Sequence, residues 1–407
     1  MTVTKSNKHL TFSHNISLKR HGVLRLTPAY STKLVNEILD SCDNHKTLLD
    51  PYCGTATTAL SGGQRGMEAY TTDINPFLIW LGKTKTKNYA EEVFFAVSKE
   101  AENIILSLSF CEEDENIELP DICNIERWWS RGSLYVLSKI KSYIEKVDMQ
   151  EEVSDLLKLS FCRTLISVSN AAFNHQSMSF KDEISNKTYK QDAEHAAKQF
   201  KNDTNYTIAA LSEKVELPPK VILADAREID QYIKNSIDIV ITSPPYPNRM
   251  SYIRELRPYM YWLGFLKDSQ DAADLDWLAI GGTWGSATSR VGRWKTDESY
   301  FIPLRLDATL KRIENTGEKN SFLLANYVGK YFYDMWQHLE SLSKVVSFSH
   351  EINYIVGNST YYSVLVDVEE IFADMMRELN LGNVTVTPIR KRNSKKELYE
   401  YIVRASR

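Results

Sequence analysis

Residues 47–82 alternate between short apolar runs and a segment of helical character, and this pattern restricts the fold more than any other stretch of the chain. A strand, a turn, a helix and a second strand in this order are typical of a parallel sheet with crossover helices. The predicted elements are a strand at 47–49, a break at 50–54, a helix at 57–65 that Gly66 ends, and a strand at 67–72 that ends at Asp73. We therefore expect an α/β protein.

Further strands are predicted later in the chain. Two short apolar runs, at 221–223 and 237–241, end at Asp225 and at 242–246. Near the C-terminus we predict a strand at 352–356, a helix at 366–379, and a hairpin formed by 384–389 and 399–403. Together these elements predict a mixed, mostly parallel sheet with an antiparallel hairpin at its C-terminal end.

A long segment, roughly 84–220, separates the two sets of strands. Its amphipathic stretches at 135–147 and 153–168 indicate helices, and it is too long for a structureless loop. We predict a mostly helical insertion. A second segment, 247–320, is rich in Gly, Trp, Tyr and Arg and is expected to be irregular.

Composition and charge limit the classes of function. With 407 residues, 43% hydrophobic, the chain is long enough for two or three domains. A formal net charge of −4 means that any nucleic-acid surface must be a local patch. None of the five cysteines forms a Cys-x-x-Cys pair, so neither a metal site nor a disulfide framework is predicted. Scattered free cysteines, a polar N-terminus and no bilayer-length apolar run predict a cytoplasmic protein without membrane contact.

Aspartates stand at the ends of three predicted strands, namely Asp50, Asp73 and Asp225. Open parallel sheets bind ligands outside the carboxyl ends of their strands. Gly54 would let the backbone approach a ligand closely. Asp73 can accept from both ribose hydroxyls of an adenosine, and Asp225 from its amino group. Each aspartate alone can equally be a helix cap or a turn residue, but three at successive strand ends indicate a nucleoside site.

The stretch from Asp50 to Thr58 resembles the D-P-F-x-G-x-G-T-T signature of DNA amino-methyltransferases, with Ala56 in place of the second glycine. The resemblance implies a Rossmann-like S-adenosylmethionine methyltransferase fold, in which this loop holds the methionine part of the cofactor. Residues 66–76 are similar to the family's second strand, and 21–35 to the N-terminal element that closes over the methionine end. The implied cofactor-binding residues are Tyr30, Asp50, Pro51, Tyr52, Cys53, Gly54, Thr55, Thr57, Asp73, Ile74, Asp225 and Ala226.

The run Thr242-Ser243-Pro244-Pro245-Tyr246 resembles the family's [D/N/S]-P-P-[Y/F/W] motif. An exocyclic amine is a poor nucleophile because its lone pair is delocalised into the ring. Hydrogen bonds to Ser243 and to a carbonyl of the turn favour a pyramidal nitrogen. Pro244 and Pro245 stiffen the turn, and Tyr246 can stack on a base flipped out of the duplex. The resemblance thus implies catalytic roles for these four residues.

Serine at the head of the motif is more frequent in N4-cytosine enzymes of this family, whereas aspartate is usual in N6-adenine enzymes. Ser243 therefore favours N4 of cytosine in DNA over N6 of adenine. Two other interpretations stay open, namely an RNA guanine-N2 methyltransferase and an inactive, DNA-binding subunit. RNA enzymes usually carry Asp in this turn, and only Ala56 favours the inactive subunit.

Basic residues follow the catalytic turn directly. Arg249, Arg254 and Arg257 can contact DNA phosphates, with Tyr252 near the flipped base. Any one of these arginines can also be part of a solvated helix face. Arg290 and Arg293 lie in a Gly-rich stretch at 281–294, and a third basic cluster is found at 390–392. Double-stranded DNA is the expected partner, and a cognate restriction endonuclease is a further candidate.

These features divide the chain into five predicted parts. They are an N-terminal element with the cofactor-binding half at 1–83, a helical insertion at 84–217, catalytic strands at 218–246, a target-recognition segment at 247–324, and the C-terminal part of the methyltransferase domain at 325–407.

Overall fold

The structure is a computed structural model that describes residues 4–5, 12–26, 30–43, 45–109, 117–172, 179–180, 188–248, 251–281, 288–295, 300–392 and 398–407. Its strands are β1 (Thr4–Lys5), β2 (Leu48–Asp50), β3 (Ala69–Asp73), β4 (Ala171–Ala172), β5 (Ser179–Phe180), β6 (Lys220–Leu223), β7 (Ile237–Thr242), β8 (Val346–Gly357), β9 (Ser359–Tyr361), β10 (Val364–Val366), β11 (Asn383–Lys391) and β12 (Tyr399–Ser406).

The α-helices are α1 (Lys19–Gly22), α2 (Thr32–Leu39), α3 (Thr57–Gln64), α4 (Pro76–Thr86), α5 (Glu91–Leu106), α6 (Ile125–Trp128), α7 (Arg131–Lys146), α8 (Glu151–Ser167), α9 (Tyr189–Leu211), α10 (Ile229–Tyr232), α11 (Tyr252–Trp262), α12 (Ser269–Leu278), α13 (Thr288–Arg293), α14 (Leu304–Glu314), α15 (Ser321–Ser343) and α16 (Val368–Glu378). Short 3-10 helices cover Phe12–Ser17 and Ala226–Glu228.

The central sheet confirms the predicted α/β class. Its order is β1-β11-β12-β8-β7-β2-β3-β6. The five strands from β8 to β6 are parallel, whereas β12 pairs antiparallel with both β8 and β11. From β2 the chain adds β3 and β6 on one side and β7 and β8 on the other. This change of direction creates the crevice in which open α/β sheets bind ligands.

Buried apolar residues cover both faces of the sheet because its parallel strands are apolar on both sides. One face carries α2 and α3, with Leu34, Val35 and Ile38 in the core. The other carries α15 and α16, whose core includes Phe332, Met335 and Phe372. A third core lies among α4, α5, α7, α8, α9 and α11. The predicted helical insertion therefore packs as a unit with part of the following segment.

One sequence prediction of secondary structure is wrong, and another helix begins later than expected. The segment expected to be irregular contains four helices, α11 to α14. The helix predicted at 366–379 begins at Val368, because Val366 pairs with Ser359 in the small hairpin of β9 and β10. Within the described residues, no helix is long and apolar enough to cross a membrane.

Candidate functional site

A cavity of about 410 Å³ opens at the carboxyl ends of β2, β3, β6 and β7. It brings together segments that lie far apart in sequence, namely 51–55, 73–75, 225–226 and 243–246. The predicted site residues that line it are Tyr30, Pro51, Tyr52, Cys53, Gly54, Thr55, Asp73, Ile74, Asp225, Ala226, Ser243, Pro244, Pro245, Tyr246 and Tyr252. The cofactor signature and the Pro-Pro turn therefore face one continuous space.

The sequence predicts that Asp50 contacts the cofactor directly. In the structure, Asp50 lies behind the cavity wall and does not line the cavity. Its carboxylate accepts hydrogen bonds from Thr242 Oγ1 at 2.6 Å, Tyr52 N at 3.1 Å and the Tyr30 hydroxyl at 3.0 Å. Burial raises its pKa to about 7, against the opposing effect of these donors. Asp50 thus joins the cofactor loop to the strand that carries the catalytic turn.

The loop between β2 and α3 needs left-handed backbone at two positions, Gly54 with φ of 48° and Ala56 with φ of 55°. Glycine adopts this conformation without steric cost, whereas Ala56 adopts it with its methyl group fully buried beside Cys53. Thr57 begins α3 and is also buried. Its hydroxyl lies 2.8 Å from that of Thr55, and it does not line the cavity. Like Asp50, Thr57 supports the loop from behind.

Lys85 of α4 is a supporting residue that sequence reasoning missed. Its buried Nζ donates to the Thr55 carbonyl at 2.6 Å and to the His21 carbonyl at 3.3 Å. Burial lowers its pKa to about 7. No local motif marks such a lysine, because its acceptors lie 30 and 64 residues away.

Asp73 faces the cavity directly at the end of β3. Its two oxygens accept from Gly54 N at 3.2 Å and from Asn75 N at 2.9 Å, and burial raises its pKa to about 6. An ionised carboxylate has about four acceptor positions, so each oxygen can take a further donor. This arrangement fits the two hydroxyls of a ribose, and Ile74 beside it offers an apolar surface for a base.

Asp225 also lines the cavity, but both of its oxygens already accept from Arg227. Nε of Arg227 lies 3.0 and 3.1 Å from them, and Nη2 lies 2.6 Å from Oδ2. Arg227 also contacts Asp334 at 3.2 Å. An adenine amino group that contacts Asp225, as the sequence predicts, would therefore share the carboxylate with Arg227.

The four residues predicted to be catalytic form one turn after β7. The Ser243 hydroxyl lies 3.3 Å from the Tyr246 hydroxyl, and the backbone N–H of Tyr246 donates to the Tyr252 hydroxyl at 3.0 Å. Tyr361 donates to the Pro247 carbonyl at 2.5 Å. Burial raises the pKa of Tyr246 and brings that of Tyr252 to about 12. Both phenols therefore stay protonated and available as donors near neutral pH.

Of the arginines predicted to bind DNA, the four that the structure describes, Arg254, Arg257, Arg290 and Arg293, do not line the cavity. Arg254 is exposed on α11, and Arg257 is half-buried. Arg290 pairs with Asp274 at 2.9 Å, Arg293 is exposed at the end of α13, and Arg249 lies outside the described residues.

Three charged residues of the C-terminal hairpin do line the cavity, namely Arg390, Arg392 and Glu400. From sequence, 390–392 is only one of several basic clusters. The position of this cluster follows from the antiparallel pairing of β11 and β12. The sequence predicts this hairpin, but it does not predict that the hairpin lies beside the Pro-Pro turn.

The family model and the two sequence relatives that match this chain are methyltransferases. Residues 32–253 match the family model described as D12 class N6 adenine-specific DNA methyltransferase. The chain is 21% identical to Type II methyltransferase M.MvaI of Kocuria varians, over 83% of this chain and 76% of that protein. It is 20% identical to Type II methyltransferase M.BsoBI of Geobacillus stearothermophilus, over 98% of this chain and 86% of that protein. Among solved structures, the rRNA methyltransferase aviRa of Streptomyces viridochromogenes aligns with a TM-score of 0.29 and 11% identity, covering 94% of this chain and 87% of that one.

Proposed function

Since the chain belongs to the family of D12 class N6 adenine-specific DNA methyltransferases, we propose that it transfers a methyl group from S-adenosylmethionine to an exocyclic amine of a base in DNA. The observation that carries this proposal is the single cavity lined by both the cofactor-loop residues and the Ser-Pro-Pro-Tyr turn. A methyl donor and an amine must meet there for direct transfer, and no covalent bond between protein and base is required.

The cofactor site is proposed to use Asp73 for the ribose hydroxyls, Ile74 for the adenine ring and residues 51–55 for the methionine part. When bound, S-adenosylmethionine supplies an electrophilic methyl group. Cys53 has no nucleophilic role in this proposal, because burial raises the pKa of its thiol and keeps it protonated. Thr55 and Gly54 hold the loop through the contacts with Lys85 and Asp73.

Ser243 and a carbonyl of the Pro-Pro turn are proposed to accept hydrogen bonds from the amine of the flipped base. These bonds direct its lone pair toward the methyl group, and such orientation contributes strongly to catalysis. Tyr246 is proposed to stack on the base, with its backbone held by Tyr252. Tyr252, Ile253 and Leu256 form an apolar wall of the cavity, which keeps water from the reacting amine.

Two bases present a suitable amine. The description of the family supports N6 of adenine as the first candidate. Ser243, in place of the usual aspartate, favours N4 of cytosine as the second. Double-stranded DNA is the proposed substrate, and the likeness to two Type II methyltransferases supports a cognate restriction endonuclease as a functional partner.

The test is methyl transfer from labelled S-adenosylmethionine to duplex DNA and, separately, to tRNA. After digestion, mass spectrometry identifies the modified nucleoside. N6-methyladenine or N4-methylcytosine in DNA would each support the proposal and select the base. Label in a guanine of tRNA, with none in DNA, would reject it, and so would label in neither nucleic acid when the protein binds the cofactor.

A further inference from the structure

The hairpin of β11 and β12 places two arginines on the cavity wall beside the catalytic turn. Arg390 lies opposite Glu400 in the strand register, and Arg392 follows the last residue of β11. Glu400 in turn pairs with Gly357 of β8, the strand next to β7. The pairing of four strands thus fixes these charges relative to Ser243 and Tyr246.

The charge of Arg390 is compensated within the protein. Its Nε and Nη2 donate to the two oxygens of Glu400 at 2.5 and 2.8 Å, and both side chains are largely buried. Such bidentate pairs are strong and geometrically specific. Arg390 is therefore a fixed part of the wall, without a free charge to offer a ligand.

Arg392 differs from Arg390 because no carboxylate pairs with it in the described part of the chain. Its Nη2 donates to the neutral carbonyl of Asn358, and its guanidinium lies 5.4 Å from the centre of the Tyr246 ring. Its buried Nε has no acceptor among the described residues. A guanidinium has five N–H donors in a rigid fork, so among the described residues Arg392 has no carboxylate that compensates its charge, and it keeps unused donors at the cavity wall.

Gly357 creates the space in which this guanidinium lies. A Cβ atom at position 357 would come within 2.7 Å of Arg392 Cζ and 2.9 Å of Nη1. Any side chain there would therefore displace the flexible end of Arg392, while the backbone of β8 could stay in place.

We propose that Arg392 binds the backbone phosphate of the target nucleotide and so holds the flipped base against Tyr246. This inference rests on the proposed function and adds a positioning residue to it. A phosphate oxygen matches both the free charge and the planar fork of the arginine. A contact to the ring nitrogen next to the amine is less suitable, because a cation there would withdraw electrons from the nucleophile. With a net charge of −4, the chain also needs local cations to hold a phosphate.

The test uses duplex DNA that carries the site methylated by the wild-type protein, with either a normal linkage or a neutral methylphosphonate at the target nucleotide. Arg392→Gln should weaken binding of the normal duplex roughly 10-fold to 100-fold and reduce the salt slope by about one. On the neutral duplex, the Arg392→Gln substitution should cause little further loss of binding. Arg392→Lys should keep the salt slope, and Gly357→Ala should weaken binding with the charge intact.

Arg404→Gln is the matched control, because it removes the same charge from the neighbouring strand outside the cavity and should leave binding unchanged. Unchanged calorimetric affinity for S-adenosylmethionine shows that each variant is folded. The inference is overturned if Arg392→Gln binds normally, or if its loss is as large on the neutral duplex as on the normal one. Failure of the wild-type protein to methylate DNA would instead reject the proposed function.

Discussion

Asp50 and Asp73 occupy equivalent places in the sequence, each at the end of an apolar strand, yet the structure gives them different surroundings. Asp50 has no exposed surface and accepts three hydrogen bonds behind the cofactor loop, whereas Asp73 faces the cavity with acceptor capacity left. The residue pattern indicates a carboxylate at each strand end. It does not distinguish a ligand contact from a support, because that depends on whether a neighbouring strand supplies donors such as Thr242.

Asp73→Ala should weaken S-adenosylmethionine binding by about 1.5–3 kcal/mol, the scale of a hydrogen bond to a charged group. In the wild-type protein the pKa of Asp73 is about 6, raised by burial. The ionised form accepts ribose hydroxyls best, so affinity should fall as pH drops through about 6, and the variant should lose this dependence. Calorimetry at several pH values measures both effects, with Asp307→Ala as the control, because Asp307 is a partly exposed residue of α14 that does not line the cavity. Normal affinity in folded Asp73→Ala would contradict the assignment.

Ser243→Ala and Tyr246→Ala should retain cofactor affinity while reducing single-turnover methylation by about 100-fold each. Orientation of the amine and stacking of the base matter in the reacting complex, and misplacement by 1 Å can cost about this factor. Ser343→Ala, at the end of α15, is the control. Rates close to wild type in both variants would place the reacting amine elsewhere.

At the scale of elements, prediction succeeded where local signals are strong. The strand and the helix between residues 47 and 66 lie within one residue of their predicted bounds, because apolar runs are bounded there by Asp-Pro and Gly. The helices α11 to α14 were missed. Pro258 interrupts the helical pattern of α11, and its stability comes from burial of Ile253, Tyr259 and Met260 against the insertion. The place of Arg392 at the cavity also depends on long-range strand pairing, which no local pattern reveals.

The contacts between β2, β7 and the cofactor loop predict a pH dependence of stability. An unfolded Asp50 ionises near its ordinary pKa of 3.8, whereas in the folded protein burial raises the value to about 7. The folded state therefore holds the proton more tightly. This stabilisation is full below about pH 4 and is lost as pH rises through about 7.

Asp50→Asn should remove this component, which amounts to at most about 1.4 kcal/mol per pH unit. Urea unfolding of both proteins at pH 4.5 to 8 measures this component, because Asp50 changes charge over roughly this pH range. The free energy of unfolding should decline less steeply with pH in the variant than in the wild type. Equal slopes would show that Asp50 is not protonated in the folded state.

At the scale of the whole molecule, charge and shape have separate roles. The formal net charge of −4 opposes attraction to DNA in general. The cavity itself combines an acidic cofactor end, at Asp73, with a basic end at Arg392. The exposed Arg254 lies on α11, whose first residues form the same cavity wall. DNA should therefore be held by a few cations near the cavity, independently of the total charge.

This view predicts the outcome of two triple substitutions that change the net charge equally. Replacing Arg249, Arg254 and Arg257 by Gln should weaken DNA binding and flatten its salt dependence, by about 0.9 in the logarithmic slope for each phosphate that the protein no longer neutralises. Arg257 is half-buried, so we expect a smaller share from it than from the exposed Arg254. The control replaces Arg305, Lys344 and Arg377, which lie in or next to α14, α15 and α16 and do not line the cavity. Binding titrations over a range of salt concentrations compare the two proteins.

If total charge governed binding, both variants would lose affinity equally. A loss confined to the first variant follows from local interactions with phosphates, because screening limits the reach of each exposed charge to about 10 Å at 0.1 M salt.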